Sequence, residues 1–339
     1  MILVTGGAGY IGSHVVKDLL TAGHDVVVLD NLSTGHRASI KALKRMIQGK
    51  DTGELEFVLG DVREKFLLTY LFKAKGISSV IHLAASSSVQ ESMEKPELYL
   101  NNNVLGIFNL LECMASCGVK NIVFSSSAAV YGNPIQTKIT EDHPRIPVNV
   151  YGTTKVMAED ILAWYGALRG VRYMVLRYFN AAGADESGGI GEWHIPETHL
   201  IPAVMEKVRE GKHPVIFGYD YPTPDGTCVR DYVHVTDLAQ AHVLALKALE
   251  GGMKSNVFNL GNGNGYSVME VLDTIAEVIG EHHIYDVKER RAGDPAILVA
   301  DSTKIKEKLG WSPAYPELKQ IVETAWKWEK GAKTIWRNE

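Results

Sequence analysis

The stretch VYGTTKVMAED, residues 150–160, puts Tyr151 four positions ahead of Lys155. Its helical character places both side chains on one face, a turn apart. An ammonium beside a phenol favours the phenolate, and a phenolate can take a proton from a hydroxyl. An isolated tyrosine titrates near ~10, so work near neutrality needs a shift of roughly 3 units, or ~4 kcal/mol. Spacing alone carries little, because Tyr315 and Lys319 repeat it in YPELKQ. The surroundings decide. Upstream, FSSSAAVYG (residues 124–132) offers a serine row in which Ser127 can align a substrate hydroxyl while hydride leaves the same carbon. Two of the three serines would serve equally in a polar loop that caps a helix.

A hydride needs an acceptor, and the N-terminal residues supply a cradle for one. TGGAGYIG follows an apolar run at 2–5 and opens a helical stretch at 11–22. Gly6, Gly9 and Gly12 let the backbone turn tightly, approach a pyrophosphate and pack helix on sheet. The helix start turns unpaired N–H groups toward the phosphates. Asp30 ends the next strand, where a carboxylate accepts hydrogen bonds from ribose hydroxyls and repels a 2′-phosphate. No arginine follows it directly, so the pattern selects NAD over NADP. GDV at 60–62 and HLAAS at 82–86 end two further strands, at the edge where such sheets bind ligands.

Strand candidates at 2–5, 25–29, 55–59, 80–83, 121–125 and 172–177 alternate with helical stretches such as 11–22 and 104–117. Strands that are apolar throughout predict a parallel sheet covered on both faces, the doubly wound α/β (Rossmann) fold. Beyond Asn180 the texture changes. Residues 181–202, AAGADESGGIGEWHIPETHLIP, are rich in glycine and proline and read as a long functional loop. A helix near 204–210, a strand near 229–234 and a helix near 238–249 follow. The expected organisation is an NAD-binding domain at 1–180 and a smaller mixed α/β domain at 181–339 that mainly binds substrate. Later segments of it are able to return to the first sheet.

At 339 residues the chain exceeds one ordinary core. Its net charge of -5 gives no attraction for nucleic acid or an anionic membrane. No run approaches the ~18 apolar residues of a membrane span, and no secretory signal is expected. Cys113, Cys117 and Cys228 form neither metal spacing nor a disulfide framework, which fits a reducing cytoplasm. His282, His283 and the other histidines show no ligand spacing, so no metal is expected.

With the glycine turn, the serine row and Tyr151/Lys155 in order, the chain resembles the extended short-chain dehydrogenase/reductase superfamily. Within it the chain resembles the UDP-glucose 4-epimerase family. TGGAGYIGSH, DNLSTGH, NNNV, FSSSAAVYG and YGTTK carry the likeness in the first half. RYFNAAGA, HLIP, DGTCVRDYVHV, NLGNG and RRAGDPA carry it through the second, where sister enzymes diverge. The resemblance implies reversible, NAD-dependent inversion at C4 of a UDP-hexose through a 4-keto intermediate, as in galactose metabolism. Tyr151, Lys155 and Ser127 would be catalytic. NAD would be lined by Tyr10, Ile11, Asn31, Leu32, Ser33, Thr34, Gly35, Asp61, Val62, Leu83, Ala84, Ala85, Ser86, Asn102, Tyr178 and Phe179. The UDP-sugar would be held by Asn180, His199, Leu200, Val215, Ile216, Phe217, Arg230, Arg291 and Asp294. A diphosphate suits the planar, permanently charged donors of the two arginines. Relatives commonly form homodimers through paired helices, here the apolar faces at 104–117 and 156–168.

Three positions depart from the family pattern. Ser87 stands where many members carry a lysine, and His199 stands at a common amide position, where it can titrate. Leu298 occupies the place thought to gate a 2-acetamido group, which bears on N-acetylated UDP-hexosamines. The nearest rival activity, nucleotide-sugar 4,6-dehydration, needs an additional acid/base pair beside the catalytic hydroxyl, yet Ala128 and Ala129 follow Ser127. Two further rivals are a dehydrogenase with exchanging NAD and a non-catalytic NAD-sensing regulator. Such regulators usually lose the tyrosine or the lysine, and here both remain.

Overall fold

The computed structural model describes residues 1–282, 284–290 and 294–336. Six strands appear in the first half: β1 (Ile2–Thr5), β2 (Val26–Asp30), β3 (Leu55–Leu59), β4 (Ser79–His82), β5 (Asn121–Ser127) and β6 (Arg172–Tyr178). β1, β2 and β4 are buried at every position, which is why their sequences lack alternation. A seventh strand, Asn256–Leu260, pairs with β6, and the all-parallel order runs Asn256–Leu260, β6, β5, β4, β1, β2, β3.

Helices bury apolar faces on both sides. Tyr10–Thr21 and Val235–Glu250 cover one, packing Val15, Leu19 and Leu246 on Val4, Val28 and Leu176. Lys65–Ala74, Gly106–Ser116 and Val150–Arg169 cover the other, with Leu68, Leu110 and Leu162 near Leu3, Val27 and Ile122. Each such side chain, fully buried, contributes about 1.5–3 kcal/mol. β1 lies between β2 and β4, so the winding reverses there and a crevice opens at the carboxyl ends. Thr5 pairs with both Leu29 and His82, so Gly6, Asp30 and Leu83 emerge at one rim.

The second half supplies more than a separate lobe. Besides Asn256–Leu260, its helix Val235–Glu250 packs on the first sheet. The remaining elements form a smaller cluster around Val204, Ile216, Val271, Ile275 and Ile321. The single strand expected near 229–234 is two, Val229–Arg230 and Tyr232–His234. Asp231 divides them because its buried carboxylate accepts backbone N–H bonds from Asn262 (2.8 Å), Gly263 (2.9 Å) and Ala300 (3.0 Å). The helix expected from 104 starts at Gly106, preceded by a π-helical turn, Leu100–Leu105. Among the described residues no helix is long and apolar enough to cross a membrane.

Candidate active site

A cavity of about 480 Å³ opens at the crevice and extends to the smaller lobe. Its first wall is mostly backbone. Helix Tyr10–Thr21 begins without a side-chain cap, leaving first-turn N–H groups for an anion. Gly12 is obligatory there, since a Cβ would fall on the Gly6 carbonyl oxygen and 2.8 Å from Gly7 Cα. Asp30 fastens the turn: Oδ2 accepts from Ala8 N (2.9 Å) and Oδ1 from Leu32 N (2.8 Å). Burial raises its pKa, and each oxygen keeps a second lone pair for a hydroxyl. Asp61 accepts from Asn31 Nδ2 at 2.9 Å, and the Arg63 hydrogen bond holds it down to about 2. Tyr10, Ile11, Ser33, Thr34, Val62, Leu83, Ala84, Ala85 and Asn102 complete this wall. An uncapped helix start, a turn with no room for a Cβ and a carboxylate at the next strand end together fit a dinucleotide.

The second wall is made of side chains. Asn149 caps helix Val150–Arg169, its Oδ1 accepting from Gly152 N at 2.8 Å. A Cβ on Gly152 would strike the Ala129 carbonyl oxygen and come within 3.0 Å of Pro147 Cβ. The missing side chain lets the helix press on the turn after β5, which brings Tyr151 beside Ser127, close enough for the serine hydroxyl to act on the phenol. Lys155 is buried. Its Nζ donates to Ser125 O at 2.8 Å and lies 5.7 Å from the Tyr151 ring centre.

The expected phenolate draws on Lys155 and a positive nicotinamide ring together, and the electrostatics show what the chain alone supplies. Burial pushes Tyr151 up, with the Ser127 hydrogen bond working against it, and pushes Lys155 down to about 8. Desolvation therefore governs the phenol in the protein alone. The lysine still carries its charge near neutrality.

The three serines separate cleanly. Ser125 bonds the Tyr178 hydroxyl, and Ser126 donates to Glu159 Oε1 at 2.6 Å. Glu159 in turn holds the buried Arg177 guanidinium at 2.6 and 2.9 Å. Ser127 is the one that meets Tyr151.

At the far end Tyr178, Phe179, Asn180, His199, Leu200, Arg230 and Asp294 line the cavity. Arg230 is ion-paired with Asp294, and its Nη1 donates to Val229 O at 2.8 Å. Ser87 and Leu298, the two other departures, also face this space. Several expected contacts lie elsewhere. Strand Val215–Phe217 pairs with Asp286–Lys288 away from the lining, and Ile216 joins the hydrophobic core of the smaller lobe. Leu32 packs on the main core, and Gly35 abuts Ala8 and Asp30. Ser86 Oγ accepts from Asn102 Nδ2 at 3.0 Å behind the wall. Arg291 and His283 lie outside the described residues.

Sequence reasoning missed His194 and Tyr232, both on the wall. His194 had a signal: Glu192, His194, Glu197 and His199 form E-x-H-x-x-E-x-H. The loop folds so that one donor atom from each lies within 4.8 Å of the others. The sequence reading of the histidines passed over this pair, which the fold brings together with two carboxylates.

A family model described as GDP-mannose 4,6 dehydratase matches residues 3–324. A UDP-glucose 4-epimerase of Lacticaseibacillus casei is 48% identical over 332 residues, 97% of this chain and 96% of the relative. The chain belongs to the UDP-glucose 4-epimerase family. Solved members of the family share its fold. The Brucella ovis UDP-glucose 4-epimerase in complex with NAD superposes with TM-score 0.89 at 44% identity, covering 96% of this chain and 97% of that one. The Bifidobacterium longum UDP-glucose 4-epimerase in complex with NAD+ and UDP gives 0.90 at 39%, covering 97% of each. Beside Ser127 and Tyr151, Ala128 and Ala129 put methyl groups, not carboxyls, on the cavity wall.

Proposed function

We propose that Ser127, Tyr151 and Lys155 carry out the reversible, NAD-dependent C4 epimerisation of UDP-hexoses, interconverting UDP-galactose and UDP-glucose. The supporting observation is the meeting of the glycine turn, the Ser127–Tyr151 pair and Arg230 around one cavity. Bound NAD supplies the hydride acceptor, then donor, at C4, together with the positive charge that the buried phenol still lacks. Tyr151 takes the 4-OH proton and later returns it. Ser127 orients that hydroxyl, and Lys155 opposes the negative charge formed on the phenol oxygen.

Inversion requires the 4-keto sugar to present its other face, so the grip must be uneven. Arg230, steadied by Asp294, and Asn180 hold the UDP end, while Ala128 and Ala129 leave room for the hexose to turn. Dehydration would need a carboxyl pair where these alanines stand. Incubating the purified protein with UDP-galactose, without added NAD, should yield UDP-glucose. A 4-keto-6-deoxy product, or no UDP-glucose, would overturn the assignment.

We also read the protein as a cytoplasmic homodimer of two-lobed subunits. Phe108, Met157, Trp164 and Leu168 leave apolar surface open on helices Gly106–Ser116 and Val150–Arg169, Trp164 at 63% and Leu168 at 77% exposure. Trp164→Glu should shift sedimentation to the monomer, and an unchanged dimer would remove this face from consideration. The three free cysteines support a reducing compartment.

A further inference from the structure

The loop between Ala182 and Leu200 carries a polar cluster that the epimerisation scheme leaves unused. Glu192 and Glu197 are buried carboxylates, their side chains 5% and 2% exposed. His194 Nδ1 lies 3.2 Å from Glu192 Oε1 and 3.8 Å from Glu197 Oε1. His199 Nδ1 contacts Glu192 Oε1 and lies 3.9 Å from Glu197 Oε1. A tetrahedral site with bonds of about 2.0–2.2 Å has edges of about 3.3–3.6 Å. The separations of 3.2, 3.8 and 3.9 Å lie near that range, while the Glu192–His199 hydrogen bond would have to open and donors as far apart as 4.8 Å to close in.

One orphaned atom points the same way. Glu197 Oε2 is shut off from solvent without a hydrogen-bond partner, and His194 Nδ1, equally shut off, has only its ion-pair contacts to the two carboxylates. Buried polar atoms without partners are costly unless something else satisfies them. Without a cation, Glu192 and Glu197 hold both imidazoles toward their protonated forms. One divalent cation would balance the two carboxylates in place of those protons, with both imidazoles neutral.

The surrounding contacts hold the donors in place. Glu197 Oε1 accepts from Thr198 N (2.9 Å) and His199 N (3.0 Å). Trp328 Nε1 donates to Glu192 O at 2.8 Å. Trp193 stacks on His36 at 4.2 Å, and its carbonyl is bonded by His36 Nε2 at 2.9 Å.

We propose that Glu192, His194, Glu197 and His199 form a site for one divalent cation of the zinc type. The cation pins the loop beside both Tyr10, whose ring meets His194 edge-on, and the N-terminus of helix Leu200–Arg209. Coordination through Nδ1 of His199 leaves Nε2 protonated, which fixes a hydrogen-bond donor on a cavity-lining residue. Metal binding stands or falls independently of which sugar nucleotide the cavity takes.

The test uses the full-length protein, stripped with chelator and reloaded with Zn²⁺ or Co²⁺. About one zinc per chain should survive gel filtration, and the Co²⁺ form should show the intense visible absorption of a four-coordinate site. Glu197→Gln, which preserves shape, and His194→Ala should each weaken binding by roughly 100-fold or more. Circular dichroism reports whether each variant is folded, and Glu197→Gln decides if the histidine variant is not. Wild-type protein that retains no metal, or equal retention by the folded variants, overturns the proposal. The cluster would then be balanced by protons on its imidazoles only.

Discussion

Around one cavity, Gly12, Ala84 and the first turn of a helix present backbone, whereas Tyr151, Arg230 and His199 present functional groups on long side chains. The two walls should therefore fail in opposite ways. A backbone wall is damaged by adding atoms, because its shape depends on side chains that are missing. A side-chain wall is damaged by removing atoms, because each group has a task of its own.

The sharpest test of that contrast deletes one oxygen. Tyr151→Phe should lower kcat by about 10²–10⁴-fold while NAD remains bound. Turnover near the wild-type rate would remove the tyrosine from the chemistry.

Acid should strike the main core through its buried histidines. Burial pushes His14 and His242 down to about 4 and His82 and His234 to about 3. An unfolded chain binds protons on these groups near ~6.5, so their stabilising effect is complete above that pH. It falls as pH drops toward the folded values, each histidine costing up to ~1.4 kcal/mol per pH unit. The urea midpoint should drop clearly from pH 7 to pH 5. Equal midpoints would show that these four histidines do not dominate, their loss being offset by groups raised in the folded state, such as Asp18 and Asp231 at about 6.

Next comes one added carbon on the backbone wall. Gly12→Ala should destabilise the protein by about 1–3 kcal/mol and reduce the NAD that co-purifies. Full NAD occupancy with an unchanged Tm would mean that this wall yields more easily than its geometry implies. The smallest effect belongs to a trimmed side chain opposite. Leu298→Ala should raise kcat/KM for UDP-N-acetylgalactosamine relative to UDP-galactose by about 10-fold. No change in that ratio would free Leu298 from any part in sugar choice.

The same contrast explains what could be read before folding was known. The glycine turn, Asp30 and the strand–helix alternation are local patterns, and β1, β3 and the Tyr10–Thr21 helix fall within a residue of their expected places. Tyr151 and Lys155 were legible because one helical turn joins them. Ser127 joins them only through the approach that Gly152 permits; its place in a serine row after a strand marked it as a candidate, but two of the three serines would equally have capped a helix. Val215–Phe217 shows the reverse problem: a family contact was carried over, and in this chain Ile216 packs in the smaller core while none of the three lines the cavity. His194 was missed because E-x-H-x-x-E-x-H has no helical or strand periodicity. Its four donors meet only when Trp193 and Trp328 anchor an irregular loop. The direction of the Tyr151 shift was also hidden, since sequence shows a neighbouring lysine but not the depth of burial.

The pairing of Asn256–Leu260 with β6 ties biosynthesis to architecture. A ribosome must extend the chain well past helix Val150–Arg169 before the last strand can dock. Until then β6 presents a bare edge of N–H and C=O groups, open to mispairing with another nascent chain. A fragment cut near residue 180 would keep that edge permanently, so the cofactor half is no detachable cassette.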